Sequence, residues 1–279
     1  MPRGAAVKLS IVIVSFNSRQ FIEPCVRSLA EESGATEHEI VVVDNASSDG
    51  SAEAAQAFAP GVTVVANRRN LGFGRAANQG FQKTSGEYVL VLNPDVTATP
   101  GSLGSMIRFM DGHGDTGLLL PKLLNPDGTV QPSCRTFYTL PVLLLRRTPL
   151  GAVFRNARSV RAHLMADWDH SQVREVDWGL GAAMLLRRSA VGNSLPFDER
   201  FFIYFEDVDL CARLSEAGWK VVYFPEAALI HCHLRQSAAG WWNRARLEHL
   251  KSLIKFIRKY RGLRPRNTGS SHQNIAILS

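Results

Sequence analysis

The chain has 279 residues, 45% hydrophobic and 20% charged, with 22 Gly and 13 Pro. That balance fits a globular protein with a sizeable core and excludes disordered, collagenous and disulfide-scaffold chains. The net charge is +7, but Trp241–Arg266 holds nine Lys/Arg against Glu248 alone, so the basicity is C-terminal and does not argue for nucleic acid.

Leu9–Val14 (LSIVIV) is a continuous β-branched run, as in a parallel strand covered on both faces. It ends at Ser15-Phe16-Asn17-Ser18, a turn and cap cluster, and Arg19–Ala30 reads as a helix. Glu39–Val43 is a second buried strand, followed by the polar stretch Asp44–Ser51 and a helix over Ala52–Phe58. Val62–Ala66 is a third strand. Asn70–Phe81 is a Gly-rich turn opening a helix, and Tyr88–Leu92 is a fourth strand ending at Asn93-Pro94-Asp95. Such β-then-α units predict a parallel, helix-covered sheet whose strand ends, where ligands bind, gather Asp44, Asp49 and Asp95. Gly117–Leu124 and Gly181–Arg187 are strand candidates flanking an irregular region, Asn125–Asp177. A helix opens at Glu206 and closes near Gly218, and Lys220–Phe224 is another strand. Trp241–Tyr260 is helical, with Leu247, Leu250, Ile254 and Ile257 at heptad-like spacing. The tail from about residue 267 reads as disordered. The four cysteines are far apart, with no CxxC pair, and read as reduced cytosolic thiols. No window approaches the roughly 18–20 apolar residues of a membrane span, and the start runs straight into a strand, without a secretory signal.

Three clusters carry candidate chemistry. Asn93-Pro94-Asp95 places a carboxylate just past a buried strand, where it either holds a hard divalent cation or caps the next helix. Glu206-Asp207-Val208-Asp209 either complements a helix dipole or crowds carboxylates until one titrates high enough to act as a base. His231 and His233 share one face of an extended backbone, as a structural pair or as an additional metal or phosphate contact. Gly72-Phe73-Gly74-Arg75-Ala76-Ala77 imitates a dinucleotide fingerprint, but Asn67–Leu71 separates it from the preceding strand.

The stretches IVIVSFNS (11–18), EIVVVDNASSDGS (39–51), NLGFGRAANQGF (70–81), GEYVLVLNPDV (86–96), LLNPDGTVQPSCR (123–135), VDWGLGAAMLLRRSAV (176–191) and FDERFFIYFEDVDLCARLSEAGWKVVYFPEAALIHCH (197–233) occur in an order that resembles family 2 glycosyltransferases of the GT-A fold, specifically their rhamnosyltransferase-like members. The resemblance implies an α/β fold with a single Rossmann-like, mostly parallel sheet over residues 8–235, divided into a nucleotide-sugar half (8–110) and an acceptor and catalytic half (111–235). A basic amphipathic helix (238–265) and a disordered tail (266–279) follow. Phe16, with Asn17 beside it, would stack on the nucleotide base. Asp44 would hydrogen-bond the pyrimidine, and Asn45 and Asp49 would shape its pocket. Asn70, Gly72, Arg75 and Asn78 would lie along the nucleotide and its diphosphate. Asn93-Pro94-Asp95 takes the place of the Asp-x-Asp motif with its first acid replaced, so Asp95 becomes the direct ligand of Mg²⁺ or Mn²⁺, assisted by His231. Trp178 and Gly181 would line the donor-sugar and acceptor region. Asp207 is the favoured catalytic base, with Glu206 as the alternative.

The implied activity is inverting transfer of a sugar, L-rhamnose from dTDP-L-rhamnose or a hexose from a UDP-hexose, to a glycan or polyprenyl-linked acceptor in cell-surface polysaccharide assembly. A sugar nucleotidyltransferase would need a glycine-bearing triphosphate loop that Ser15–Gln20 lacks, and a pure binding module has no use for the Glu206–Asp209 acids. The basic helix has two readings: its Leu/Ile stripe packs on the catalytic domain, or it meets an anionic membrane at the inner face of the plasma membrane.

Overall fold

The computed structural model describes residues 7–32, 37–58, 60–147, 157–232 and 244–263; the start of the basic segment, His233 and the C-terminal tail lie outside these. Strands β1 (Leu9–Ser15), β2 (His38–Asp44), β3 (Val62–Ala66) and β4 (Tyr88–Leu92) are where the apolar runs place them, and α1 (Arg19–Glu31), α2 (Ser51–Gln56) and α3 (Phe73–Lys83) connect them. Next come β5 (Val96–Ala98), α4 (Ser102–Gly112) and β6 (Thr116–Leu124). The region expected to be irregular contains β7 (Val130–Gln131), β8 (Cys134–Arg135), α5 (Leu140–Arg147), α6 (Arg158–His163) and β9 (Arg174–Glu175), and β10 (Trp178–Gly179) follows directly after it. The chain closes with β11 (Ala183–Arg187), α7 (Glu206–Glu216), β12 (Lys220–His231) and α8 (Arg244–Tyr260).

The main sheet runs β3-β2-β1-β4-β11-β6-β12-β5. β1 pairs in parallel with both β2 and β4, while β11 is antiparallel to both its neighbours. The two flanks of β1 therefore diverge at its carboxyl end, the crevice in which open α/β sheets bind ligands. Alternate residues of each strand feed two cores. Ile11, Ile13, Val42 and Leu90 meet α1, α2 and α4 on one face, and Val12, Val43, Val89 and Val91 meet α3, α7 and α8 on the other. This two-sided burial is why the strands read as unbroken apolar runs.

Two expectations are corrected. β12 does not stop at Phe224: its pairing with β6 shifts between Phe224 and Ala228, and beyond that bulge the strand continues, setting His231 opposite Val96 of β5. The Leu247/Leu250/Ile254 stripe is not the packed face of α8. Those three side chains are 50%, 54% and 41% exposed, whereas Leu253 and Phe256 are buried and Ile257 packs on the core beside them. Helical periodicity locates stripes on a helix but does not say which one meets the core.

Candidate active site

At the carboxyl ends of β1, β2 and β4 lies a cavity of about 400 Å³. Phe16 and Asn17 from the β1 loop, Asn45 from the β2 loop, Asn70 and Gly72 from the Gly-rich turn, Asn93 and Asp95 after β4, and His231 at the end of β12 all line it. Asn45 organises this edge: its amide nitrogen donates to Asn70 Oδ1 (3.0 Å) and Gly72 O (3.2 Å), and its Oδ1 accepts the Leu71 N–H (2.9 Å). Phe16 is 49% exposed, an aromatic face presented to solvent on the cavity wall. Gly72 has φ +87°, and a Cβ there would lie 2.3 Å from the Phe202 carbonyl oxygen, which accepts the Phe73 N–H at 2.8 Å. Only glycine permits that approach, and through it the Gly-rich turn carries the wall segment Phe202–Tyr204.

Asp95 and His231 meet at this edge. The Cys232 N–H donates to the Asp95 carbonyl (2.9 Å), and His231 Nε2 lies 3.5 Å from Asp95 Oδ1. That oxygen is buried and has no hydrogen-bond partner among the described residues. The other imidazole nitrogen, Nδ1, is 2.7 Å from Gln131 Oε1, while the Gln131 amide nitrogen donates to Asn125 Oδ1 (3.1 Å). Gln131 therefore accepts from Nδ1–H and fixes the ring with Nε2 turned toward a carboxylate oxygen. An imidazole nitrogen and a carboxylate oxygen facing each other are ligand types that suit a divalent cation, with the glutamine as the outer partner. Among the described residues no group of three or more His, Cys, Asp or Glu is placed to enclose a metal. A two-residue set is what Mg²⁺-type sites show when substrate phosphates complete the coordination.

The second acidic cluster opens α7. Tyr204 and Phe205 both have positive φ (67° and 69°) without being glycine, a strain that functional turns store. It delivers Glu206 and Asp207 at the helix start. Asp207 is partly buried; its Oδ2 accepts the Gly181 N–H (3.1 Å) and its Oδ1 the Val208 N–H (2.8 Å). Burial pushes its pKa up to about 6, against the lowering effect of those two amides. Glu206 is 6% exposed, with Oε2 unpartnered among the described residues, and burial followed by the Asp207 charge raises its pKa well above the ordinary value. Asp209 is fully buried and paired with Arg213 of its own helix (2.9 Å) and with Lys259 (2.5 Å) and Tyr260 (3.0 Å), which anchor α8. Its charge adds to the rise at Glu206, so all three carboxyls share in the crowding.

This has a consequence for stability. A carboxyl whose folded pKa is raised holds its proton where the unfolded chain has already lost it, so stability falls as pH rises above the unfolded value. Glu206→Gln, neutral at every pH, should melt a few degrees above wild type at pH 8, with the gap shrinking toward pH 4 in calorimetric scans.

Several expected site residues lie away from the cavity. Asn78 is 1% exposed, and its amide brackets the Phe197 backbone (2.9 and 3.1 Å), so it clasps α3 to that segment rather than facing a diphosphate. Arg75 pairs with Glu199 (3.2 Å). Asp49 accepts the Arg19 N–H (2.9 Å) and caps α1. Asp44 is buried, and its two oxygens accept from Ser47 (2.5 and 2.9 Å). Trp178 is buried with its indole N–H on Thr136 O (2.9 Å), and Gly181 touches Asp207. Gln131 and Tyr204 were missed as individual residues. Gln131 sits in the 123–135 stretch already singled out, and Tyr204 follows the Phe201–Phe205 aromatic run.

An α/β sheet with a polar crevice at its switch point, lined by a carboxylate–imidazole pair and by the segment that leads into a carboxylate of raised pKa, has the layout of a ligand-binding α/β enzyme. The chain belongs to glycosyl transferase family 2, whose model matches residues 10–149, and the model of glycosyl transferase family group 2 matches residues 138–251. It is similar to the N-acetylglucosaminyl-diphospho-decaprenol L-rhamnosyltransferase of Mycobacterium tuberculosis, 36% identical over 80% of this chain and 75% of that protein. Rhamnosyltransferase WbbL of Escherichia coli is 26% identical over 92% of this chain and 95% of its own. The fold matches the Pyrobaculum calidifontis mannosyltransferase solved with GDP-Man and Mn²⁺ (TM-score 0.61, 18% identity), covering 91% of this chain and 65% of that one. It is a GT-A fold glycosyltransferase.

Proposed function

We propose that the enzyme transfers L-rhamnose from dTDP-L-rhamnose, with inversion, to a hydroxyl of a glycan or polyprenyl-diphosphate-linked sugar in cell-surface polysaccharide assembly. The rhamnosyltransferase relatives support the sugar and the lipid-linked acceptor, and a UDP-hexose is the alternative donor. The observation that carries the transfer reading is the meeting, at one sheet edge, of the Asp95–His231 pair with the segment leading into Glu206-Asp207. Phe16 stacks on the base, with Asn17, Asn45 and Asn70 along the nucleotide. Asp95 and His231 would hold Mg²⁺ or Mn²⁺, which supplies positive charge to the departing diphosphate. Asp207 takes the proton of the acceptor hydroxyl as that oxygen bonds to the anomeric carbon from the far face, and the C–O bond to the diphosphate breaks with its electron pair leaving on the diphosphate. A screen of nucleotide sugars for transfer and hydrolysis, with and without EDTA, tests this. Turnover of dTDP-L-rhamnose that EDTA abolishes is expected; preference for another donor refutes the assignment.

Among the described residues no helix is long and apolar enough to cross a membrane. The exposed Leu247, Leu250 and Ile254, on a helix rich in Lys and Arg, suit peripheral contact with an anionic bilayer on the cytoplasmic side, where each basic residue contributes about 1 kcal/mol. Changing all three to Ser should abolish co-sedimentation with anionic vesicles; unchanged sedimentation would assign the face another role.

A further inference from the structure

The turn that delivers Asp207 is strained, and its own residues do not account for its holding that shape. Tyr204 and Phe205 take left-handed backbone without being glycine, a state that persists only where the surroundings over-determine it. Phe205, which precedes α7, offers no capping side chain. Upstream, the Gly-rich turn pins Phe202 through the Phe73 N–H (2.8 Å). From Ile203 onward a grip comes from α8.

Ser252 is 1% exposed, and its hydroxyl donates to the Ile203 carbonyl oxygen (2.9 Å). A helical serine can return its hydroxyl to a carbonyl of the preceding turn; this one reaches another element instead. The His249 ring lies against both strained residues, with centroids 5.0 Å from the Tyr204 ring and 5.1 Å from the Phe205 ring. Phe256 meets Phe205 at 5.3 Å. Lys255 donates to Arg200 O (2.6 Å), and Lys259 bridges Asp198 (2.7 Å) and Asp209 (2.5 Å). Positions 249, 252, 256 and 259 recur at helical spacing, so one face of α8 follows the segment on both sides of the base. Asp207, two residues past Phe205, keeps its oxygens on the Gly181 and Val208 amides only while that turn holds.

We propose that His249 and Ser252 are positioning residues of the reaction: from α8, without touching substrate, they hold the left-handed turn that aims Asp207. The inference rests on the glycosyl-transfer reading for the role of Asp207 and adds what keeps that carboxylate in place.

The test uses the full chain. With a donor that wild type turns over, Ser252→Ala and His249→Ala should each lower kcat about ten- to a hundredfold, the effect of a base displaced by about 1 Å. Affinity for dTDP, read by calorimetry, should stay within about threefold, since Phe202 remains pinned from the Gly-rich turn. His249→Phe keeps a ring against Tyr204 and Phe205 and should restore kcat to within about threefold of wild type. A second readout needs no turnover. In the chain labelled with ¹⁵N-glycine, the Gly181 amide is the signal whose pH response disappears in Asp207→Asn. It should shift through a step near pH 6 in wild type, lose most of that shift in both alanine variants and keep it in His249→Phe. A kcat within about twofold of wild type in both alanine variants, or a Gly181 step of full size in both, overturns the proposal. Loss of the Gly181 step as expected, while no nucleotide sugar supports transfer, would instead sink the transfer reading and leave the brace standing.

Discussion

Asp207→Asn should lower kcat by about 10²–10⁴-fold, the usual worth of general-base assistance, and leave donor affinity within about twofold. The reason lies in where the carboxylate sits. Its oxygens are held by the Gly181 and Val208 amides at the start of α7, and it does not line the cavity that holds Phe16 and Asn45. Removing its charge would therefore take away the proposed proton acceptor without touching the proposed nucleotide contacts. With the pKa pushed up to about 6, the base is protonated and inactive in acid, so kcat/KM of wild type should rise with pH through about 6 and level off above 7. Asp207→Asn should lose that limb along with its rate. Glu206→Gln should retain it at nearly the same pH, because burial and the Asp207 charge keep Glu206 protonated where Asp207 titrates. If Glu206→Gln erased the limb instead, the roles of the two acids would be reversed.

Asp95→Ala should reduce transfer by at least 10³-fold at any Mn²⁺ concentration, because it deletes the only carboxylate that faces His231 Nε2 in the described site. His231→Ala leaves that carboxylate in place and should be partly rescued by excess Mn²⁺. Gln131→Ala removes only the acceptor that orients His231, and outer partners of this kind typically cost about 10–100-fold in metal affinity. The Mn²⁺ concentration for half-maximal activity, measured across the three variants, should follow that order. Equal metal dependence in all of them would remove Asp95 and His231 from the cation site.

Much of this was legible in the chain. Strands buried on both faces must be apolar throughout, so LSIVIV, EIVVV and YVLVL announce a parallel sheet, and the polar loops after them mark its ligand edge. The carboxylates also stand out, since Asp95 and Glu206-Asp207 each follow an apolar or aromatic run. What sequence could not supply was direction. Asn78, Asp49 and Asp209 are polar for architectural reasons: a backbone clasp, a helix cap and an anchor for Lys259 of α8. Their types and positions resemble those of ligand contacts until their partners are known. His231 could be placed beside Asp95 only through the bulge that extends β12 to β5, a pairing between segments more than a hundred residues apart. The left-handed turn at Tyr204 and Phe205 was equally hidden, because no glycine marks it.

The proposed centre gathers loops distant in sequence around a cation and a sugar nucleotide, with Asp207 at its border. Anomalous diffraction from crystals soaked with Mn²⁺ and dTDP addresses this directly. The expected map has one manganese peak within coordination distance of Asp95 Oδ1 and His231 Nε2, bridged to the diphosphate, with the thymine ring against Phe16. A dTDP molecule bound away from Phe16, or a manganese peak that touches neither Asp95 nor His231, would contradict it.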